Sequence, residues 1–411
     1  MKENKPGYKL TILGWIPVEW EVKRIAKITK IIAGATPSTN NLEYWGGDIR
    51  WMTSGELHQK RIFEVKKRIT EDGLKNSSTK ILPIDCVLIG LAGQGKTRGT
   101  VAITKVELCT NQSIAAILPN DIVDSEYLFS YLDKQYEQLR KLSTGDGGRG
   151  GLNLNIIGSL KIAIPPLAEQ KAIAALLLLW DKAIEKTDEL IKQKELLKKA
   201  LMQQLLTGKK RLKGFKGAWK KYSYTELLKI VKRPVIWNDN ELYKLISVRR
   251  RSGGIFLREE LWGHQILVKD LRNVNVGDFI FSKMQIMHGA SALVTKEFAG
   301  TKISGSYIAV IAKDPELLNI VFLKWLSTQP YFYYQTFISS YGVHIEKMTF
   351  DFESFLSQNI ALPNIKEQTA IVEILETADK EIKIIKNKLE ALKEQKKGLM
   401  QVLLTGKVRI K

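Results

Sequence analysis

"PPLAEQKAIAALLLLWDKAIEK" (Pro165–Lys186) and "PNIKEQTAIVEILETADKEIKI" (Pro363–Ile384) are one segment written twice. Glu169 aligns with Glu367, Asp181 with Asp379, Met202 with Met400 and Gly208 with Gly406, all at an offset of 198 and without a gap. The downstream ends, "KKALMQQLLTGKKRLK" (Lys198–Lys213) and "KKGLMQVLLTGKVRIK" (Lys396–Lys411), keep the same offset. Chance does not produce a match of that length, so the chain carries an internal duplication.

Each copy predicts one long helix. Pro165 and Pro363 mark the break before it. Asn364 followed by Glu367 fits an N-cap with a capping-box partner. Gly208 and Gly406 stand where a C′ glycine belongs. In the second copy Ile371, Leu375, Ala378, Ile382, Ile385, Leu389, Leu392, Lys396, Leu399 and Leu403 recur at alternating spacings of four and three. That is a heptad seam with one polar position, Lys396. The first copy keeps the register through Ile173, Leu177, Trp180, Ile184 and Ile191, sets Thr187, Lys194 and Lys198 on the seam, and resumes at Leu201 and Leu205. Neither stripe can be buried by its own helix, so the two copies are expected to pack on each other. The connectivity favours an antiparallel pair about an internal pseudo-two-fold. A helix of roughly 38 residues at about 1.5 Å per residue would be a rigid spacer of about 57 Å.

The 411 residues allow two or three domains with sizeable cores. Lys and Arg number 64 against 43 Asp and Glu, a net charge of +21. Such an excess attracts polyanions: DNA, RNA or an anionic membrane surface. No run of eighteen apolar residues indicates a transmembrane helix, and the N-terminus lacks the apolar core of a secretory signal. Cys86 and Cys109, in "IDCVLIG" and "VELCTNQ", lack metal-ligand spacing and read as reduced core thiols of a cytoplasmic protein.

The segments between the helices also run in parallel. Each has a Trp-bearing entry, "WIPVEWEVKRIAKI" (Trp15–Ile28) and "FKGAWKKYSYTELLKI" (Phe215–Ile230). A turn and β-run follow, "LPIDCVLIG" from Leu82 and "VNVGDFIFS" from Val274, pairing Asp85 with Asp278. Then come "NQSIAAILP" from Asn111 and "SGSYIAVIA" from Ser304, and short helices "SEYLFSYL" from Ser125 and "IVFLKWL" from Ile320. A last β-run meets the proline in each, "LKIAIPP" and "SQNIALP". The expected organisation is domain (1–164), helix (165–213), domain (214–362), helix (363–411). The fold class is α+β: two similar mixed α/β domains separated by two long helices packed as an antiparallel coiled coil.

These features together resemble the specificity subunit of type I restriction–modification enzymes. The resemblance rests on "PPLAEQKAI" and "LPNIKEQTAI" at the helix starts, "LMQQLLTGKKRLKGF" and "LMQVLLTGKVRIK" at their ends, and "GQGKTRGTVAI" and "NQSIAAILP" in the first domain. It implies a non-catalytic DNA reader. Each globular domain would be a target recognition domain for one half of a split, asymmetric double-stranded site. The helix pair would set the gap and dock two methyltransferase subunits, which carry S-adenosylmethionine, with motor–nuclease subunits joining through them. On that implication this chain holds no cofactor and no metal.

Enzyme classes are weaker fits. "GLAGQGKT" (Gly90–Thr97) matches the P-loop pattern, which needs strand, glycine-rich loop and then helix. The residues that follow, "TRGTVAITKV", favour a strand. The internal copy lays "KMQIMHGASALV" (Lys283–Val294) over "GLAGQGKTRGTV" (Gly90–Val101), so the scaffold persists while the loop is replaced. No Asn- or Asp-Pro-Pro-aromatic methyltransferase motif occurs, and His58, His264, His288 and His344 lack metal-motif spacing.

The candidate DNA contacts are Gln94, Lys96, Thr97 and Arg98 in the first glycine-rich loop, and Arg149 in "STGDGGRGGLN" (Ser143–Asn153). In the second domain they are Arg249, Arg250 and Arg251 in "SVRRRSGG", and Lys283, Gln285, His288 and Ser291. Tyr341 and His344 occupy the place of the first domain's second loop. Arg and Lys suit guanine edges or phosphates, and Gln can pair with adenine. The competing expectation is a stand-alone basic coiled-coil architectural protein.

Overall fold

The structure, a computed structural model, describes residues 5–93, 95–142, 151–345 and 348–410. It divides into two compact units, residues 1–188 with 387–411, and residues 189–386.

The first unit is built on a five-stranded sheet of β1 (Ile31–Ala33), β2 (Arg61–Ile62), β3 (Val87–Gly90), β4 (Val101–Thr104) and β5 (Ile114–Ile117), in the order β1-β5-β3-β4-β2. All neighbours are antiparallel except β2, which joins β4 in parallel. The three central strands are apolar, rich in β-branched residues and buried on both faces. Their side chains alternate between two cores. Val87, Ile89, Val101 and Ile103 meet Tyr127, Leu128 and Leu132 of α1 (Ser125–Lys134), while Leu88, Ala102 and Ala116 meet Met52, Leu57 and Ile62. Helix α2 (Tyr136–Leu142) follows α1 directly.

The second unit repeats this plan. Strands β6 (Leu228–Val231), β9 (Phe279–Ser282), β10 (Ser291–Leu293) and β11 (Tyr307–Ala312) lie in the order β6-β11-β9-β10, the counterpart of β1-β5-β3-β4. The long hairpin β7 (Leu242–Val248) and β8 (Ile255–Trp262) belongs to a second, four-stranded sheet, whose counterpart in the first unit is the three-stranded sheet of Trp45–Met52, Lys67–Ile69 and Cys109–Thr110. Phe279 and Phe281 face the core that holds Phe322 and Leu323, and Ile280 faces the opposite one. In each unit the Trp-bearing entry forms a strand, Glu21–Arg24 or Lys220–Ser223, paired with the strand that leads into the long helix.

The long helices are α3 (Leu167–Leu205) and, after α4 (Ile320–Leu326) and α5 (Pro330–Ile338), α6 (Ile365–Leu403). Asn364 caps α6 by accepting from the Glu367 amide at 3.0 Å. The other half of the expected capping box does not form, because Glu367 turns its carboxylate to Arg211 instead. Gly208 and Gly406 have φ of 69° and 68°, the left-handed C′ conformation that a side chain resists.

Within each unit the helices run antiparallel, and two of the charged contacts have twins 198 residues away. In the first unit Lys396, late in α6, bonds Asp181, early in α3. In the second, Lys198, late in α3, bonds Asp379, early in α6. Both lysines occupy polar positions of the heptad seam, where a charged pair fixes register. Beyond the helix end, Arg409 grips both oxygens of Glu169 at 2.6 and 2.8 Å, and Arg211 grips both of Glu367 at 2.7 and 2.6 Å. Glu169 is 6% exposed and Glu367 0%. The adjacent Gln170 and Gln368 donate to the carbonyls of Pro165 and Pro363 and accept from the amides of Asp124 and Asn319, tying each long helix to the start of α1 or α4.

The seam residues Ile173, Leu177, Leu205, Ile371, Leu375 and Leu403 sit in the unit cores, so the helix ends belong to the domains as much as to each other. Ile191, Ile382 and Leu389 are buried, and Trp180, Ile184, Leu201, Ile385, Leu392 and Leu399 are half-buried. Leu177 and Leu375 are both fully buried. Leu177→Ala and Leu375→Ala should each cost about 2–5 kcal/mol, read as a fall in the denaturant midpoint of the corresponding unit.

Candidate nucleic-acid interface

The two hairpins at equivalent places in the sheets carry the candidate loops. In the first unit residues 91–100 connect β3 to β4. A strand, not a helix, follows "GLAGQGKT", so the strand–loop–helix order of a phosphate cradle does not form here. The loop is closed by the Gly99 amide donating to the Gly90 carbonyl and the Thr100 amide to that of Thr97. Lys96 is exposed, Thr97 and Arg98 are half-buried, and Gln94 lies outside the described residues. Helix α2 holds the loop from beneath. Tyr136 Oη donates to the Lys96 carbonyl at 3.1 Å, and Arg140 donates to the Gly95 carbonyl.

Arg149 also falls outside the described residues. The end of its glycine-rich stretch does not: the Leu152 amide donates to the Leu91 carbonyl at 3.1 Å, setting it beside the base of the first loop.

The second unit brings together three segments that are far apart in sequence. Residues 283–290 connect β9 to β10. The β7–β8 turn docks on them through backbone bonds, Arg251 N–H to His288 O and Ser252 N–H to Gly289 O. A small hairpin, Ser340–Tyr341 with Thr349–Phe350, joins from the other side as the Phe350 amide donates to the Lys283 carbonyl at 2.9 Å. Arg249, Arg250, Arg251, Tyr341 and His344 are exposed, and Lys283 and His288 are half-buried. Arg249 lies over the Phe256 ring, 4.4 Å from its centroid.

Two expected contacts sit differently. Ser291 is 3% exposed, on β10 in the wall of a cavity of about 310 Å³ bounded by Trp325, Phe298 and Lys198, so it presents nothing to a duplex. Gln285 is half-buried with its Oε1 fully enclosed. Both lie in a stretch that sequence alignment alone assigns to a loop, whereas β10 already begins at Ser291. Tyr136, Arg140, Ser252 and Tyr333 escape sequence reasoning because their loop contacts span |i−j| of 40, 45 and 81.

No group of three His, Cys, Asp or Glu is placed to hold a metal ion among the described residues. Nor is any described helix long and apolar enough to cross a membrane.

Two stretches, residues 17–196 and 217–394, each match the family described as Type I restriction modification DNA specificity domain. The chain belongs to the type I restriction–modification DNA specificity family. The specificity subunit MjaIX of Methanocaldococcus jannaschii is 36% identical over 201 residues, covering 48% of this chain and 45% of that protein. The MjaVIII specificity subunit of the same organism is 24% identical over 427 residues, covering 96% of this chain and 94% of its own. The S subunit from M. genitalium superposes with a TM-score of 0.58 at 13% identity, over 97% of this chain and 99% of that one. A chain from a type I system solved for complex assembly and conformational transition gives 0.60 at 16% identity, over 96% and 99%. The shared specificity fold agrees with the duplicated domain-and-helix plan, and these curated relatives are specificity subunits rather than architectural proteins.

The two thiols of this specificity chain lie in the first unit's cores. Burial, with the charge of Asp85 nearby, pushes Cys86 up to about 12, and burial pushes Cys109 up to about 11. A thiol pKa raised in the folded state gives stability that is present below the unfolded value and lost as pH climbs through the folded one. Neither thiol should react with a disulfide reagent at pH 8 until the chain is unfolded, and stability should decline as the pH rises from about 9 towards 12.

Proposed function

We propose that this chain is a non-catalytic reader of double-stranded DNA, in which each loop cluster reads one half of a bipartite site. The observation that carries the reading is the pair of equivalent hairpins: one scaffold and two different loops, with Lys96 exposed on the first and Arg249, Arg250 and Arg251 exposed on the turn that docks on the second. That is the arrangement expected of one architecture tuned to two base sequences. In the first domain, residues 1–164, the readers are Lys96, Thr97 and Arg98, with Gln94 and Arg149 as further candidates. In the second, residues 214–362, they are Arg249, Arg250, Arg251, Lys283 and His288. The net charge of +21 supplies the attraction to phosphate.

The long helices, over 165–213 and 363–411, hold the two readers in register and dock two methyltransferase subunits, with motor–nuclease subunits recruited through them. S-adenosylmethionine and ATP are used on those partner chains, in the cytoplasm.

Purified chain supplied with DNA, S-adenosylmethionine and ATP should neither methylate nor cleave; turnover without partners would overturn the proposal. Mapping methylated adenines in the host genome gives the site itself. Exchanging residues 283–294 for another loop should then change only one half of it, and an unchanged site would remove that loop from the reading role. Arg251→Ala should lower the slope of log binding constant against log salt by about 0.9 if its partner is a phosphate.

A further inference from the structure

The β7–β8 turn is an unusual support for a reading surface. Arg251 and Ser252 have φ of 57° and 52°, two consecutive non-glycine residues in the left-handed region. That conformation is disfavoured for L-residues and persists only where surrounding structure enforces it. The enforcement is visible. The Arg251 and Ser252 amides donate to the carbonyls of His288 and Gly289, and the Ser252 hydroxyl lies 2.9 Å from Tyr333 Oη.

Tyr333 reaches this point from α5, whose other face is fixed in the core. Phe332 packs with Tyr224, Phe281 and Phe355, and Gln335 donates to the Asn359 carbonyl at 2.8 Å. The Tyr333 ring occupies the space beside Gly289, where a Cβ would stand 2.1 Å from Oη. Gly289 itself has a φ of 73°, so the position excludes a side chain twice over. One phenol therefore touches both segments that carry the candidate readers. In the first unit α2 does the equivalent work, with Tyr136 and Arg140 on the carbonyls of Lys96 and Gly95 and the Arg140 stem against Gly99.

We propose that Tyr333 is the positioning residue for base discrimination in the second half-site. It does not touch DNA. It locks the left-handed turn onto the 283–290 connection, so that Arg250 and Arg251 meet the duplex in one geometry rather than several. The inference rests on the proposed reading role of this turn.

The test uses the full chain assembled with its methyltransferase partner, S-adenosylmethionine and two duplex libraries. One library varies single bases in the second half-site, the other in the first. Tyr333→Phe and Ser252→Ala remove the same hydrogen bond from opposite ends. Each should reduce discrimination between cognate and variant bases in the second half-site about fivefold, the loss of one such bond. Discrimination in the first half-site should not move. The double variant should match either single one, because both delete one interaction. Arg251→Ala serves as the independent check on the turn. If it alters second-half discrimination while Tyr333→Phe and Ser252→Ala do not, the tether is overturned and the reading role stands. If none of the three alters it, the reading role of the turn fails and the tether with it. Equal losses in both halves would reduce Tyr333 to a stabilising residue and also overturn the proposal.

Discussion

A buried carboxylate at the start of each long helix organises this molecule. Glu169 and Glu367 are almost without solvent, a position that is costly for a charge unless it is fully paired. The pairing comes from the chain just beyond the end of the other long helix, as Arg409 or Arg211. The fork of a guanidinium matches the two oxygens of a carboxylate, so the contact specifies orientation as well as proximity. The antiparallel sense of the helices within each unit and the seating of a Trp-bearing entry strand beside them depend on it. Trp20 completes the first site by donating to Glu169 at 3.0 Å.

Much of this was legible in the sequence. The heptad spacing, the prolines and the glycines placed both long helices, because a helix advertises itself through local periodicity and caps. The paired β-runs were legible for a related reason: each is a short apolar run between turn residues. What the same pattern hid was the purpose of its exceptions. Lys198 and Lys396 look like flaws in an apolar seam, and their value appears only with Asp379 and Asp181 opposite. Glu367 has the spacing of a capping-box residue but serves a tertiary contact. The Gln that follows each Glu straps a helix start to a helix 46 or 49 residues away, which no local pattern encodes.

The interface was legible in outline and not in detail. Charge and glycine content singled out loops that the structure sets on equivalent hairpins, since cations and open backbone are local properties. Whether a polar residue faces outward is set by strand register, and Ser291 fell on the inner side of β10. The proximity of Arg251 to His288 likewise depends on two hairpins meeting in space. Residues that shape a loop without belonging to it, such as Tyr333, leave no trace in the loop's own sequence.

The composition of the first unit bears on how the chain is made. Its core includes Met400, Leu403 and Leu404, packed with Ile173, Ala174 and Leu177. Those three residues leave the ribosome after the whole of 189–386, the contiguous stretch that forms the second unit. The domain synthesised first is therefore the one completed last. Its apolar helix stripe has to wait, uncovered, through the synthesis of roughly two hundred further residues, during which exposed surface of that kind invites aggregation. For this architecture the order of translation and the order of folding are opposed.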